Sequence, residues 1–449
     1  MAIAALMGVG TAVKGEEVPS LDLNFDGQAS SYRRTSTSPT APKANGDELA
    51  TNLIACARNS TAFFLNSSGN LQEAATNTPR VEYDASGNPL GLLVEEARTN
   101  YVLDSMDVSV GATNWTASNG TTDVTGATIT APDGVGTAQV MEGSSSNSFS
   151  QLHQTVSITA DYIACSVYVS WPGTDPSDAI ALRVQGTNHA DDAGFTSFTE
   201  TITQYKLTRS AATSFVRVNR GHALNPTVED IGNGWYRVSM VVRTNGGTVS
   251  KVTVYPSFAA PGGRAAFWGA QAEVGEAPTS VIRTTSTTKF RPRDEITVAT
   301  SSFGNNPAEE TFVVDFNAAS PPAATNPRIY ETHSGSTTSR SMVLFVATGT
   351  SDVRAQWIAG GTTTQVVASA ASFPVQYKLA QRRDGTSGNY AVNGSLGTST
   401  TITQGSTAPT TLSLGCNSGG GGTMNGHIRR LIYFPRAVND AQLFKFTST

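Results

Sequence analysis

Short runs in which apolar and polar residues alternate, separated by clusters of Gly, Asn, Asp, Ser and Pro, recur along most of the chain. Clear examples are residues 162–169, 235–242, 311–316 and 427–434. Alternation with a period of two in β-branched and aromatic residues predicts strands, and turn clusters at short intervals predict an antiparallel sandwich or barrel. The pattern therefore predicts an all-β protein with little helix.

The composition excludes several classes of function. Charged residues make up 14% of the 449 residues and the net charge is −5, so the chain has no basic field to hold nucleic acid or an anionic membrane. The three cysteines, Cys56, Cys165 and Cys416, are far apart and lack CxxC spacing, which predicts neither a disulfide scaffold nor a zinc site. No apolar stretch approaches the ~20 residues of a membrane span.

Four regions can be separated along the chain. Residues 1–20 form an apolar arm, 21–104 a turn-rich segment, and 105–295 and 296–449 two β-sandwiches in tandem. Within the turn-rich segment, residues 21–25 alternate as a strand does. Residues 47–57 favour a short helix, capped by Asn45 or Asp47, and residues 439–446 favour a C-terminal helix of one or two turns capped by Asn439.

The apolar arm has no Lys or Arg before its apolar run, and the first basic residue is Lys14. A secretory signal carries its positive charge in front of the apolar stretch, so export by this segment is not expected. Apolar side chains are costly to leave in water. The arm is therefore covered either by a partner subunit or larger assembly, or by folding back onto its own domain.

Signals for catalysis are sparse. None of the five histidines stands in HExxH or at i, i+4 from another, and no GxSxG elbow or phosphate loop occurs. Glu95 and Glu96 point to opposite faces if they lie in a strand, so we expect one to pair with Arg98 and the other to face solvent. With no carboxylate pair that the sequence places in one groove, we predict no enzyme, no catalytic residue, no cofactor and no bound metal. Asp191 and Asp192 suit either a Ca²⁺ loop or an ordinary exposed loop.

Glycan recognition relies on aromatic faces carried by a rigid β scaffold. Trp235 and Trp268 alternate with small or apolar neighbours, which predicts core positions. Trp115 and Trp171 lie in loop-like segments, NWTASNG and WPGTDP, and are predicted to be exposed. These two are the candidate glycan-binding residues.

The segment ARNSTAFFLNSSGNLQEAATNTPRVEYDASGNPLGLLVEEARTNYVLDS, residues 57–105, resembles a segment that recurs in structural proteins of tailed phages and prophages. The motif is long and specific, and it ends in GLLVEEARTN. Its structural residues in this chain are Arg80, Glu95, Glu96, Arg98 and Asn100. We expect Arg98 in particular to organise the strands around it, because a planar guanidinium can hold a carboxylate and neighbouring carbonyls together.

Two further stretches are similar to domains of such phage proteins. Residues 231–286 resemble the closing strands of a carbohydrate-binding-module-like jelly roll, although Val281 and Arg283 stand where that ending has Tyr and Pro. The last part, with NGHIRRLIYFPRAVNDAQL, is similar to laminin-G or concanavalin A-like sandwiches. The resemblance therefore implies a jelly roll followed by a concanavalin A-like sandwich.

The resemblance also implies a function, namely a component of a tailed-phage virion. Such a fibre or spike, attached to head or tail, is expected to present its sandwiches for binding to glycan on the host surface. Its expected partners are other virion proteins, namely those of the capsid, of the portal and tail, or of the baseplate, contacted through the N-terminal arm. Such proteins are commonly homotrimers, so a homotrimer is expected here as well. The protein is made in the host cytoplasm and lies at the virion surface, with no nucleic-acid partner and no membrane insertion.

Two other classes remain open. A polysaccharide depolymerase with accessory sandwiches needs a carboxylate pair in one groove. A secreted bacterial lectin needs an export signal. A carboxylate pair seen in one groove is therefore the feature that separates the first alternative from a binding protein.

Overall fold

The strands expected from the alternating pattern dominate the computed structural model, which is 56% strand and 4% helical. The structure describes residues 19–26, 53–172, 178–191, 197–318, 326–335, 339–346, 352–370, 375–403, 408–419 and 422–448. The prediction of tandem antiparallel sandwiches is confirmed. The apolar residues 1–18 lie outside the described residues, whereas Ser20 is buried and its N–H donates to the carbonyl of Tyr433 at 2.9 Å.

Seven strands precede the first sandwich: β1 (Leu21–Asn24), β2 (Ala55–Ala57), β3 (Ala62–Leu65), β4 (Leu71–Ala74), β5 (Arg80–Tyr83), β6 (Pro89–Val94) and β7 (Arg98–Asn100). The first sandwich contains β8 (Thr116–Ser118), β9 (Thr122–Thr130), β10 (Thr137–Glu142), β11 (Gln151–Thr159), β12 (Tyr162–Ser170), β13 (Ala179–Ala190), β14 (Phe198–Thr208), β15 (Val216–Arg217), β16 (Ala223–Gly232), β17 (Trp235–Arg243), β18 (Thr248–Tyr255) and β19 (Arg264–Val274).

The remaining strands are β20 (Lys289–Arg291), β21 (Glu295–Ala299), β22 (Glu309–Ala318), β23 (Arg328–His333), β24 (Ser339–Val346), β25 (Asp352–Ala359), β26 (Thr362–Ala370), β27 (Val375–Asp384), β28 (Ser387–Val392), β29 (Ser395–Leu396), β30 (Thr400–Thr401), β31 (Thr411–Leu414) and β32 (Gly426–Phe434). The chain ends in helix α1 (Asp440–Thr447), whose N-cap Asn439 forms a capping box with Gln442, as the sequence predicted.

The first sandwich packs a sheet of order β16-β17-β12-β19-β10-β9 on a sheet of order β15-β14-β13-β18-β11-β8. Side chains of alternate residues from both sheets, among them Val167, Val238, Leu182 and Val254, form one apolar core. This is the arrangement that alternating burial along antiparallel strands produces. Trp235 and Trp268 are buried against the outer side of the first sheet, which confirms their predicted core positions.

The second sandwich is built from two separated parts of the chain. One sheet has the order β29-β28-β27-β22-β32-β6-β5, with β1 also pairing with β32 and β30 with β28; the other has the order β2-β21-β31-β23-β24-β25-β26. Strands β1, β2, β5 and β6 come from the turn-rich segment, and Leu21, Leu23 and Leu92 lie in the same core as Leu431. The first sandwich is thus inserted into the chain of the second.

The helix predicted over residues 47–57 is wrong at its C-terminal end. Residues 55–57 form β2, with Ala55 opposite Thr297 of β21. Pairing at the edge of a sheet supplies backbone hydrogen bonds and buries Ile54, which outweighs a weak local preference for helix. Residues 47–52 lie outside the described residues.

Candidate functional site

The chain passes from the second sandwich into the first after β6 and returns before β21. Strands β7 and β20 pair at this crossing, with Arg98 opposite Arg291. The motif GLLVEEARTN covers the outgoing passage, so its charged residues lie where the two sandwiches meet. The joint between the sandwiches is therefore the place where the motif acts.

Two buried arginines hold Asp294 of the return passage. Arg58 donates from Nη1 to Asp294 Oδ1 at 2.7 Å, and Arg80 donates from Nη2 to Asp294 Oδ2 at 2.5 Å. The side chains of Arg58 and Arg80 are fully buried. Arg80 also donates to the carbonyl of Phe63 at 2.7 Å and to Ser280 Oγ at 2.8 Å. Buried charges of this kind are tolerated only when paired and hydrogen-bonded, as they are here.

Glu95 occupies the centre of this network, which corrects the expectation that one of the paired carboxylates faces solvent. Its Oε2 lies 2.9 Å from Arg80 Nη2 and 2.8 Å from Arg291 Nη1, while Oε1 accepts from the backbone N–H of Ser280 at 2.5 Å. Burial alone would raise the pKa of Glu95, but the guanidinium groups of Arg291 and Arg80 and the Ser280 hydrogen bonds hold it well below its usual range. Glu95 therefore links Arg80, Arg291 and Ser280 at the centre of the joint as a carboxylate whose ionised form is stabilised.

Glu96 pairs with Arg98, as the sequence predicted. The two glutamates follow β6 outside any strand, and they turn toward different partners. The guanidinium of Arg98 also lies 3.8 Å, at Nε, from Glu273 Oε2, and it packs on Gly275 so closely that a Cβ there would be 2.1 Å from its Nη2. Only glycine fits at that position.

Asn100 is fully buried and satisfies four backbone groups at the start of the first sandwich. Its Nδ2 donates to the carbonyls of Ala270 and Ile282 at 3.1 and 2.9 Å, and its Oδ1 accepts from the N–H of Val102 and Ala272 at 3.0 and 3.2 Å. The residues grouped by the motif are thus brought together as a structural joint.

Beside the joint, a cleft of about 780 Å³ opens between the outer face of the β12–β17 pair and the second sandwich. Glu95, Thr279 and Ser280 of the joint form part of its wall. Apolar side chains from both sandwiches, including Phe64, Leu93 and Tyr168, line the cleft together with many amide, hydroxyl and charged groups. A cleft of this size between domains, in which polar groups converge beside apolar ones, is typical of a ligand site.

One side of the cleft carries a hydrogen-bonded chain that spans the two parts of the second sandwich. His427 Nε2 lies 2.7 Å from Glu82 Oε2, and its Nδ1 lies 2.9 Å from Asn317 Oδ1. The other oxygen of Glu82 accepts from the backbone N–H of Leu65 at 3.1 Å. A contact at each of its two nitrogens therefore fixes the orientation of the imidazole, which forms part of the cleft wall.

The opposite side carries Glu229 and Arg237, which face each other across the β16–β17 pair. The guanidinium of Arg237 lies 5.5 Å from the ring centre of Tyr168 and donates to Ser166 Oγ at 3.1 Å. The side chain of Glu229 is accessible from the cleft, but the cleft walls surround it and raise the pKa of its carboxyl by desolvation. The positive charge of Arg237 and that of His427 lower this pKa, and the negative charge of Glu82 raises it further. The cleft thus brings the carboxylates of Glu82 and Glu229, a guanidinium and an imidazole around one space.

The expectation that Trp115 and Trp171 are exposed is wrong. Their exposed fractions are 4% and 8%, and both lie in the core of the first sandwich. Trp171 packs edge-on against Tyr236 with ring centres 5.8 Å apart. Residues 116–118 of the stretch read as a loop form β8, and Trp171 directly follows β12, so each indole adjoins a strand and packs into the sandwich core. Buried in this way, neither ring presents a face to a sugar.

The sequence analysis missed Glu82, Glu229, Arg237 and His427 as cleft residues. Glu82 and His427 each lie in stretches singled out for their resemblance, PRVEYD and NGHIRRL, but nothing local indicates that they meet. Glu229 and Arg237 flank the turn GNG and could have been paired from hairpin register alone. Glu82 and His427, in contrast, are 345 residues apart in the chain, and no local pattern reveals that they meet.

Within the described ranges, no group of three or more His, Cys, Asp or Glu side chains is arranged to hold a metal ion. Asp192, one of the two residues considered for calcium, lies outside those ranges. No helix in the part of the chain that the structure describes is long and apolar enough to cross a membrane.

No protein-family model matches the chain, and no curated protein matches it. Among solved structures, the CBM40 of Ruminococcus gnavus IT-sialidase bound to α2,3-sialyllactose is 15% identical over 33% of this chain and 87% of that chain, with a TM-score of 0.28. Domain 4 of AbnA, a GH43 extracellular arabinanase from Geobacillus stearothermophilus, in complex with arabinotriose, is 12% identical over 38% of this chain and 83% of that chain, with a TM-score of 0.28. At these TM-scores the similarities assign no ligand to this chain.

Proposed function

We propose that the protein is a non-enzymatic, glycan-binding component of a tailed-phage virion, a fibre or spike that binds host-surface glycan in the cleft between its two sandwiches. The cleft is the observation that carries the binding proposal. Amide and carboxylate groups such as Asn225 and Glu229 line it next to the apolar wall of Phe64 and Tyr168. Sugars present the same mixture, with hydroxyl groups at the edge of the ring and C–H groups on its faces.

Binding is tested by screening the purified chain against immobilised polysaccharides and lipopolysaccharide of candidate host bacteria, then measuring Kd for the best oligosaccharide. Glu229→Gln and Asn225→Ala are expected to weaken binding at least fivefold, because each removes a hydrogen-bonding group open to the cleft. Glu309→Gln, an exposed glutamate outside the cleft lining, is the matched control and is expected to leave Kd unchanged. Equal Kd values for all four proteins would contradict a cleft site.

The virion role rests on the resemblance of residues 57–105, residues 231–286 and the last part of the chain to phage structural proteins. The apolar arm is proposed as the attachment device, and the sandwiches as the host-facing part of what such families commonly form, a homotrimer. Because Ser20 already belongs to the second sandwich, the truncation that tests this removes residues 1–18. We expect a folded chain that no longer assembles onto phage particles, and incorporation at normal copy number would contradict the proposal.

A second candidate, a polysaccharide-degrading enzyme, gains one observation from the cleft. Glu82 and Glu229 share it, which supplies the carboxylate pair that the sequence did not place in one groove. Against catalysis, both oxygens of Glu82 are engaged, one by Leu65 and the other by His427. Incubation with the polysaccharide that binds separates the two candidates. Turnover of that polysaccharide, abolished by Glu229→Gln or Glu82→Gln, would establish an enzyme.

A further inference from the structure

The first sandwich has a second outer face, on the side opposite the cleft. This outer face belongs to the sheet β14-β13-β18-β11-β8, and one row of directly paired residues crosses it. The row is defined by Gln204, Arg183, Thr253, His153 and Thr116. Their neighbours along the strands, such as Leu182 and Leu152, point into the core, so the row points outward.

Polar atoms without partners converge on this row. Thr253 is fully buried, yet its Oγ1 has no hydrogen-bond partner among the described residues. Buried Nε of Arg183, Nδ1 of His153 and Oε1 of Gln185, which belongs to the adjacent row, also lack partners in the described part of the chain. Buried polar groups are nearly always paired in folded proteins. A set of them on one outward face therefore indicates a ligand that supplies the missing partners.

The outer face is positively charged although the chain as a whole carries −5. Lys206 lies opposite Ala181 in one flanking row, and Lys251 lies opposite Gln185 in the other, on either side of Arg183. Burial lowers the pKa of His153, and the positive charges of Lys251 and Arg183 lower it further, as expected for groups that share one surface. None of the residues paired in the three rows is acidic. The face suits an anion.

Aromatic rings form a ridge along one end of the rows. Tyr255 packs edge-on against Phe258, and Phe258 against Phe149, with ring centres 5.4 Å apart in both pairs. The guanidinium of Arg183 lies 5.2 Å from the ring centre of Tyr255. Phe149 is 50% exposed, which is unusual for a large apolar side chain and leaves one ring of the ridge open to solvent.

We propose that this outer face is a second, independent binding site, for an acidic sugar residue. The anionic group, a carboxylate or a phosphate, is received by Arg183 and Lys251, and Thr253 and His153 hydrogen-bond to the same residue. The aromatic ridge lies beyond Tyr255, on the side of Thr253 away from Lys251, so it is the apolar face of a neighbouring sugar ring of the same glycan that packs against Phe149. The proposal does not depend on the cleft, because the two sites lie on opposite sheets and share no residue.

The test uses three named probes at low salt: trigalacturonic acid, which carries carboxylates, mannose 6-phosphate, and neutral galactotriose. Titration calorimetry is expected to give a Kd at least tenfold lower for one or both acidic probes than for galactotriose. Arg183→Gln and Lys251→Gln are each expected to raise that Kd at least fivefold, and Phe149→Ala is expected to raise the Kd for trigalacturonic acid, which is long enough to reach the ridge. Binding of trigalacturonic acid alone identifies the anion as a carboxylate, and binding of mannose 6-phosphate alone identifies it as a phosphate.

Thr253→Val separates a ligand role from a structural role. The substitution removes a buried hydroxyl that has no hydrogen-bond partner in the described part of the chain, so the melting temperature is expected to stay the same or rise while binding weakens. Arg220→Gln controls for loss of charge, because the Arg220 side chain is 81% exposed and outside the rows. Glu229→Gln in the cleft is expected to leave binding of the acidic probe unchanged.

Several outcomes would overturn the proposal. These are absence of binding by both acidic probes, equal affinity for galactotriose, or the same loss in Arg220→Gln as in Arg183→Gln. Unchanged binding in Thr253→Val would also remove the assigned role of that hydroxyl. Loss of acidic-probe binding in Glu229→Gln would place that ligand in the cleft, where it would bear on the first proposal instead.

Discussion

Replacing Arg80 by lysine tests whether the buried network holds the two sandwiches together. The Arg80 guanidinium contacts four groups from separate segments: the carbonyl of Phe63, Ser280 Oγ, Asp294 and Glu95, at 2.5 to 2.9 Å. Lysine keeps the charge, but its three donors lie on one nitrogen and cannot span this fork. Arg80→Lys therefore keeps the charge and tests the geometry of the guanidinium fork.

The expected loss follows from the contacts. At least two of the four hydrogen bonds are lost, and bonds to charged groups contribute roughly 1.5–3 kcal/mol each, partly offset by the retained charge. We expect Arg80→Lys to lower the free energy of unfolding by about 2–4 kcal/mol. Arg80→Met also leaves Asp294 and Glu95 without one of their cations, which in buried pairs costs about 3–5 kcal/mol.

The assay is urea unfolding followed by tryptophan fluorescence, which reports on this region because Trp235 and Trp268 lie in the cluster beside the joint. Arg220→Lys, at a site that is 81% exposed, is the matched control and is expected to change stability by less than about 0.5 kcal/mol. If Arg80→Lys unfolds at the same urea concentration as this control, the fork geometry is not what stabilises the joint.

Three further predictions concern the same region and the thiols. Arg98→Lys is expected to lower the free energy of unfolding by about 1–3 kcal/mol in the same assay, because the bond to Glu96 and the packing on Gly275 need the planar group; unchanged unfolding would make Arg98 a mere surface charge. The pKa of Glu95 is lower in the folded chain than its ordinary value of 4.5, so its ionisation stabilises the fold fully above that pH and progressively less below it. The stability difference between wild type and Glu95→Gln is therefore expected to narrow as pH falls below 4.5 toward 2, and a difference that widens would contradict the assigned role. Burial raises the pKa of the thiols of Cys165 and Cys416, the latter to about 12, so neither is expected to react with a thiol reagent at pH 8 until the protein is denatured; rapid reaction of the native protein would contradict their burial.

The joint explains why charged residues gather in a segment that otherwise supplies strands. The insertion of one sandwich into another leaves two chain passages side by side, and they pair as strands only over β7 and β20. Outside that pair, the backbone N–H groups of Glu95 and Ser280 donate to the carboxylates of Asp294 and Glu95, at a junction almost closed to solvent. The residue types of the motif are therefore those that a buried, irregular junction requires.

The local sequence pattern was sufficient for the strands and the C-terminal helix. The alternation over residues 235–242 predicted β17, and Asn439 predicted the cap of α1, because strand faces and helix caps depend on residues a few positions apart. The structural role expected for the motif residues came from the resemblance rather than from the local pattern, and it did not supply the partners of Glu95.

Only the tertiary structure decided which distant segments meet. The pairing of β2 with β21 replaced a locally favoured helix, and the closing of the sandwich buried Trp115 and Trp171 despite their loop-like neighbours. The contact of Glu82 with His427, and the cleft around it, arise from the packing of two sandwiches. Such contacts depend on how whole sheets pack, and the energy that fixes them is shared among many side chains rather than carried by neighbouring positions in the chain.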